Sequence, residues 1–107
     1  MRRGEVVWLS SIRGARGREQ SGPRYGVILQ SADLMGLSTV VVAPTSTRAA
    51  PASFRPEVTI EGARTRVLVD QITAMDWSRI GESIRVLSWD EFVSVDRALK
   101  FVLGLAT

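Results

Sequence analysis

Three apolar runs in this 107-residue sequence begin or end on polar groups that could do chemistry together. Arg24 opens "RYGVILQS", Thr45, Ser46 and Thr47 close "TVVVAPTST", and Asp70 with Gln71 closes "VLVDQ". Glu19 lies in the loop that leads to Arg24. If these run ends share one rim of a sheet, they offer a guanidinium to neutralise a phosphorane, hydroxyls to bind its oxygens and a carboxylate to take a proton. That set suits RNA cleavage by RNA's own 2′-hydroxyl, which requires neither a metal nor a protein nucleophile. Each piece also has a structural use: Arg24 as the ion-pair partner of Glu19 or Asp70, Thr45-Ser46-Thr47 as a turn bonding its own backbone, and Asp70-Gln71 as the cap of a helical turn. Trp8, Trp77 and Trp89 fit a core or an interface as well as a stacking platform.

Composition narrows the chemistry. The chain has no cysteine and no histidine, which removes disulfides, thiolate nucleophiles, Ser-His-Asp triads and nearly all zinc sites. No G-x-x-x-x-G-K or G-x-G-x-x-G phosphate cradle is present, so neither a cofactor nor a metal is expected. The basic residues are thirteen arginines and the single Lys100, and arginine's planar fork grips phosphate bidentately. Residues 1–66 carry ten arginines against five acids, whereas residues 67–107 carry four basic groups against six acids. A basic N-terminal face follows, as expected for a polyanionic partner, with Arg13, Arg16, Arg18 and Arg48 on its loops. No apolar run approaches the roughly 20 residues that span a bilayer, and no signal-like segment precedes the first strand, so a cytoplasmic protein without membrane attachment is expected.

The elements that must position these groups are short. The length suits one domain over residues 1–107. Val6–Leu9 reads as a strand, followed by a loop of about fifteen residues, long enough to serve as a binding loop. "RYGVILQS" returns to strand, Ser31 starts a helical turn, and "STVVVAPTS" is a buried strand that Pro44 is expected to end. Thr47–Pro56 is a second long loop, and Val58–Ile60 with Arg66–Val69 forms a hairpin around "EGA". "DQITAMDWSRIG" combines a helical turn with a stop at Gly81, and Ser83–Leu87 is the last strand. Ser88 with Glu91 is a capping box for a helix over Trp89–Leu103, with Phe92, Val95, Leu99 and Val102 or Leu103 on its apolar face. The expected fold is mainly β with helices, an α+β arrangement in which a small barrel of short, mostly antiparallel strands is closed by the C-terminal helix.

Four blocks, "RRGEVVWL", "ARGREQSGPRYGVILQS", "TVVVAPTST" and "VLVDQITAMDWSRIG", resemble the successive blocks of the MazF/PemK toxins of type II toxin–antitoxin systems, including the Kid toxin. The resemblance implies an SH3-like barrel of the CcdB/PemK type, a homodimer, a cognate antitoxin, and metal-independent cutting of single-stranded RNA at short sequences. Its implied products are a 2′,3′-cyclic phosphate and a 5′-hydroxyl end. Carried onto matching positions, it makes Arg24, Ser46 and Asp70 catalytic, with Glu19 a further candidate. Gln20, Thr45, Thr47 and Gln71 fall beside them as substrate contacts, together with the loop arginines named above. A non-catalytic poison of a protein target, as CcdB is of gyrase, is the alternative from the same fold; it needs the C-terminal helix and not Arg24.

Overall fold

The computed structural model describes residues 1–10 and 24–105. Seven strands and one α-helix follow in chain order: β1 Glu5–Leu9, β2 Arg24–Ile28, β3 Thr39–Ser46, β4 Glu57–Ile60, β5 Ala63–Val67, β6 Thr73–Asp76, β7 Ile80–Val86 and α1 Trp89–Leu103. Single 3₁₀ turns at Ala32–Leu34, Val69–Gln71 and Trp77–Arg79 link them. All pairings are antiparallel, in the order β4-β5-β3-β2-β1-β7, with β6 beside β3. The result is a strongly bent sheet with a C-terminal helix, the barrel-like α+β fold expected from the sequence.

The central strand β3 explains the bend. One edge pairs with β2 over Val42–Pro44; the other pairs with β6 over Thr39–Val42 and with β5 over Thr45–Ser46. Pro44 sits where one neighbour gives way to the other. It does not end the strand, contrary to the sequence expectation, because a residue's N–H and C=O leave a strand on the same edge. The Pro44 carbonyl accepts from Leu68 N at 2.8 Å, so the missing donor falls at the changeover, where no ladder partner needs it.

Two further boundaries differ from the sequence reading. β5 begins at Ala63 and not Arg66, because only one of its faces is buried: Thr65 and Val67 point inward while Arg64 faces water. The hairpin then closes through Glu61 (φ 52°) and Gly62 (φ 80°), both left-handed, as a two-residue type I′ turn requires. Gly81 does not stop a helix but lies inside β7. A Cβ there would meet Trp8 Cδ1 at 3.1 Å and Trp8 O at 3.2 Å, so glycine lets β7 lie close against β1, and β6 fills the stretch expected to be helical.

Apolar residues fill both faces of β1–β3. Val6, Val27, Ala43, Ile60, Val67 and Val95 pack between the sheet and α1. Val7, Leu9, Ile28, Val40, Val42 and Met75 form a second cluster on the opposite face. α1 starts as the sequence predicts: Ser88 Oγ accepts from Glu91 N at 3.2 Å, and Glu91 Oε1 accepts from Ser88 N at 2.9 Å. It ends on Gly104 in the left-handed conformation (φ 68°), which lets the Gly104 and Leu105 amides return to the last turn. Among the described residues, no helix is long and apolar enough to cross a membrane.

A side-chain clasp joins the two edge strands. Arg85 of β7 donates to Thr59 O of β4 through Nη2 at 2.6 Å and to Glu91 Oε2 at 2.7 Å, while Thr59 N donates to the same Glu91 oxygen at 3.2 Å. Both polar groups of Thr59 on the open edge of β4 are thereby satisfied without a neighbouring strand.

Candidate active site at the ends of β2 and β3

A pocket of about 250 Å³ opens where β2 begins, β3 ends and the β4–β5 turn folds over; Arg24, Tyr25, Thr45, Thr47, Ile60, Glu61, Ala63 and Thr65 line it. Arg24 pairs in register with Leu9 at the end of β1, so its backbone is anchored in the sheet. Its Nε is buried and has no hydrogen-bond partner among the described residues. A buried guanidinium nitrogen in that state is costly and calls for an explanation; Arg79 Nε shares it but does not line the pocket.

Strand alternation decides which hydroxyls reach the pocket. Ala43 packs on the helix side of the sheet and Val42 on the other, so Thr45 shares Ala43's side and Ser46 shares Val42's. Thr47 follows Thr45 into the pocket. Thr45 Oγ1 donates to Tyr25 O at 2.9 Å, which ties the end of β3 to the residue after Arg24. Thr47 is exposed at the mouth. Ser46, which the resemblance placed at the centre, instead accepts from Arg48 N at 3.1 Å in a local turn, and Arg48 lies on the surface.

Asp70 is brought near these strands but not into the pocket lining. Arg55, from the loop before β4, grips it with two bonds, Nε to Oδ1 at 3.2 Å and Nη2 to Oδ2 at 3.0 Å. Those bonds hold the Asp70 carboxyl below the ordinary carboxylate range, partial desolvation opposing and the positive charge of Arg55 assisting. The same loop is fastened twice more, by Arg66 Nη1 donating to Arg55 O at 2.9 Å and by Phe54 stacked on Phe101 with centroids 6.5 Å apart. Gln71 is exposed beside Asp70. Arg13, Arg16, Arg18, Glu19 and Gln20 lie outside the described residues.

Three pocket residues escaped the sequence reading as candidates. Tyr25 stands edge-on to Trp8, with ring centroids 5.4 Å apart, and gives the pocket an aromatic wall. Thr65 and Glu61 come from the β4–β5 hairpin, whose "EGA" reads only as a turn until the fold sets it over β2 and β3. Among the described residues, no group of three carboxylates is placed to hold a metal ion.

Residues 2–103 match a family model described as PemK-like, MazF-like toxin of type II toxin–antitoxin system. A protein of Mycobacterium tuberculosis named as a candidate toxin is 41% identical over 104 residues, covering 96% of this chain and 97% of its own length. The crystal structure of MazF from Deinococcus radiodurans superposes with a TM-score of 0.79 at 28% identity, covering 98% of this chain and 97% of that one. An endoribonuclease solved in complex with its cognate antitoxin, from a mycobacterial species, shares the fold with a TM-score of 0.79 at 16% identity, covering 100% and 98%.

Proposed function

Because the chain belongs to the PemK-like, MazF-like toxins of type II toxin–antitoxin systems, we propose that it is an endoribonuclease acting on single-stranded RNA without a metal ion. The observation that carries this reading is Arg24: a guanidinium whose buried Nε has no hydrogen-bond partner among the described residues, in a pocket that Thr45, Thr47 and Thr65 also line. When the 2′-oxygen attacks the adjacent phosphorus, charge grows on the non-bridging oxygens of the phosphorane. A fixed cation aimed at that charge stabilises the transition state more than the ground state. Arg24 supplies the cation and Thr47 a hydroxyl at the mouth, while Thr45 holds the β2 backbone in place. The products are a 2′,3′-cyclic phosphate and a 5′-hydroxyl. DNA is spared because it lacks the nucleophile, and duplex RNA because its A-form backbone holds the 2′-oxygen out of line.

The cellular partner is a cognate antitoxin, as the family's description implies. The exposed apolar side chains of Trp89, Phe101, Leu103 and Leu105 offer surface for it and for a second copy of the chain in a homodimer. The test uses purified protein and its Arg24→Ala variant, incubated in EDTA with a long unstructured RNA, followed by mapping of new 5′ ends. Discrete cuts bearing 5′-hydroxyls, absent in the variant, are expected. A folded, antitoxin-free protein that makes no cuts would move the assignment to a poison of a protein target, and a gyrase assay would follow.

A further inference from the structure

We propose that Glu61 is the group that takes the proton from the attacking 2′-hydroxyl, an inference that rests on the ribonuclease reading above. Six carboxylates are committed elsewhere. Glu5 accepts from Arg2 N and Ser83 Oγ, Glu57 pairs with Arg64 and Arg66, Asp70 with Arg55, Glu91 with Arg85 and Asp96 with Arg3; Asp76 accepts from Ser78 N. Among the described residues, Glu61 is the one acidic residue lining the pocket that Arg24, Thr45 and Thr47 also line. Asp70 is poorly suited to the task in this geometry. The two bonds from Arg55 stabilise its ionised form, and a carboxylate so stabilised has little affinity for a proton.

The backbone of Glu61 supports the same assignment independently. It holds φ 52° at the first central position of a type I′ turn, where asparagine or glycine adopts the left-handed conformation more readily. A residue kept in an unfavourable conformation beside a pocket points to a role for its side chain. Position 62 already has the glycine the turn needs, so the glutamate contributes nothing to the turn that a smaller residue would not.

In the step itself the O2′–P bond forms as the P–O5′ bond breaks. The 2′ proton passes to a Glu61 carboxylate oxygen, the departing 5′-oxygen takes a proton from water, and the Glu61 carboxylic acid then returns its own to solvent. Arg24 stays charged throughout, since a guanidinium does not give up a proton in a protein.

The test measures kcat and KM against pH on one short RNA cut by the wild type, for Glu61→Gln, Glu61→Asn and Asp70→Asn, with thermal melts alongside. We expect kcat of Glu61→Gln to fall by on the order of 10²–10⁴-fold with KM little changed, and the loss of rate on acidification to disappear. Glu61→Asn should lose activity equally yet melt at or above the wild-type temperature, because asparagine suits the turn better. A dead but more stable variant cannot be explained by damage to the fold. Asp70→Asn should keep the acid dependence. A Glu61→Gln variant that cleaves as wild type, or that loses rate equally at every pH, overturns the proposal, as does transfer of the acid dependence to Asp70. Wild-type protein that fails to cleave any RNA removes the ribonuclease reading, and this inference with it.

Discussion

Two places in this molecule use the same pair of side chains, an arginine and a glutamate, to opposite ends. At the seam between β4 and β7, Arg85 and Glu91 meet at 2.7 Å and together occupy both backbone groups of Thr59. At the pocket, Arg24 and Glu61 face a common space, and Arg24 Nε bonds to none of the described residues. The seam's charges satisfy each other and hold the fold. Those of the pocket do not pair with each other, and Arg24 Nε keeps its bonding capacity unused among the described residues. Charge type alone does not separate a stabilising pair from one proposed for catalysis; the two places differ in how much of their bonding capacity is already used.

The comparison is sharpest at Arg24. Its replacement by alanine should lower kcat/KM on RNA by on the order of 10²–10³-fold or more, about 3–4 kcal/mol of transition-state stabilisation. The melting temperature should scarcely move, since no ion pair is lost among the described residues; a large drop in melting temperature would break the contrast. Arg85→Ala should do the reverse. It strands the half-buried Glu91 carboxylate and the Thr59 carbonyl, at about 1–3 kcal/mol, and thermal melts should fall by roughly 4–8 °C per kcal/mol for a domain of this size. Cleavage per folded molecule should persist.

Ser88→Ala removes only one half of the capping box and should cost about 1 kcal/mol, measured by urea titration, again without loss of cleavage. Acid should expose the same difference. Burial raises the Glu91 carboxyl, but the bond from Arg85, the amides of Ser88 and Thr59 and the Arg85 charge outweigh it and hold the group at about 2, against an ordinary 4.5. A carboxyl lowered in the folded state adds stability that is present above pH 4.5 and lost as pH falls towards 2. Melts recorded across that window should flatten in Glu91→Gln, while the acid dependence of cleavage should be unchanged there and altered only at Glu61.

The helix that supplies Glu91 to the seam was far more legible in the sequence than the pocket, although the seam's reach to Thr59 was not. Ser88 and Glu91 are three residues apart and α1 is local, so the capping signal and the 3.6-residue stripe place the helix to its last residue. The pocket depends on long-range register. β3 is apolar on both faces, so "TVVVAP" has no phase to say whether Thr45 or Ser46 turns inward, and family resemblance favoured Ser46 where alternation brings in Thr45 and Thr47. Glu61 was hidden for another reason: Gly62 alone signals the turn in the sequence, and the glutamate beside it gains meaning only when the hairpin is seen lying over β2 and β3. The missed β6 and the misread Gly81 share a cause, since both depend on how closely β1 and β3 approach segments some seventy and thirty-five residues away.

The pairing of Glu5 with Val86 carries a consequence for how the protein comes to be made. Every residue lining the pocket lies at or before position 65, yet the free edge of β1 is covered only by β7, whose last residue is Val86, and α1 caps the core later still. A ribosome adds roughly 5–20 residues per second, so the segments that build the pocket exist for some seconds before the strand and helix that make them rigid. The pocket therefore takes its final form only once β7 and α1 have been made, late in synthesis.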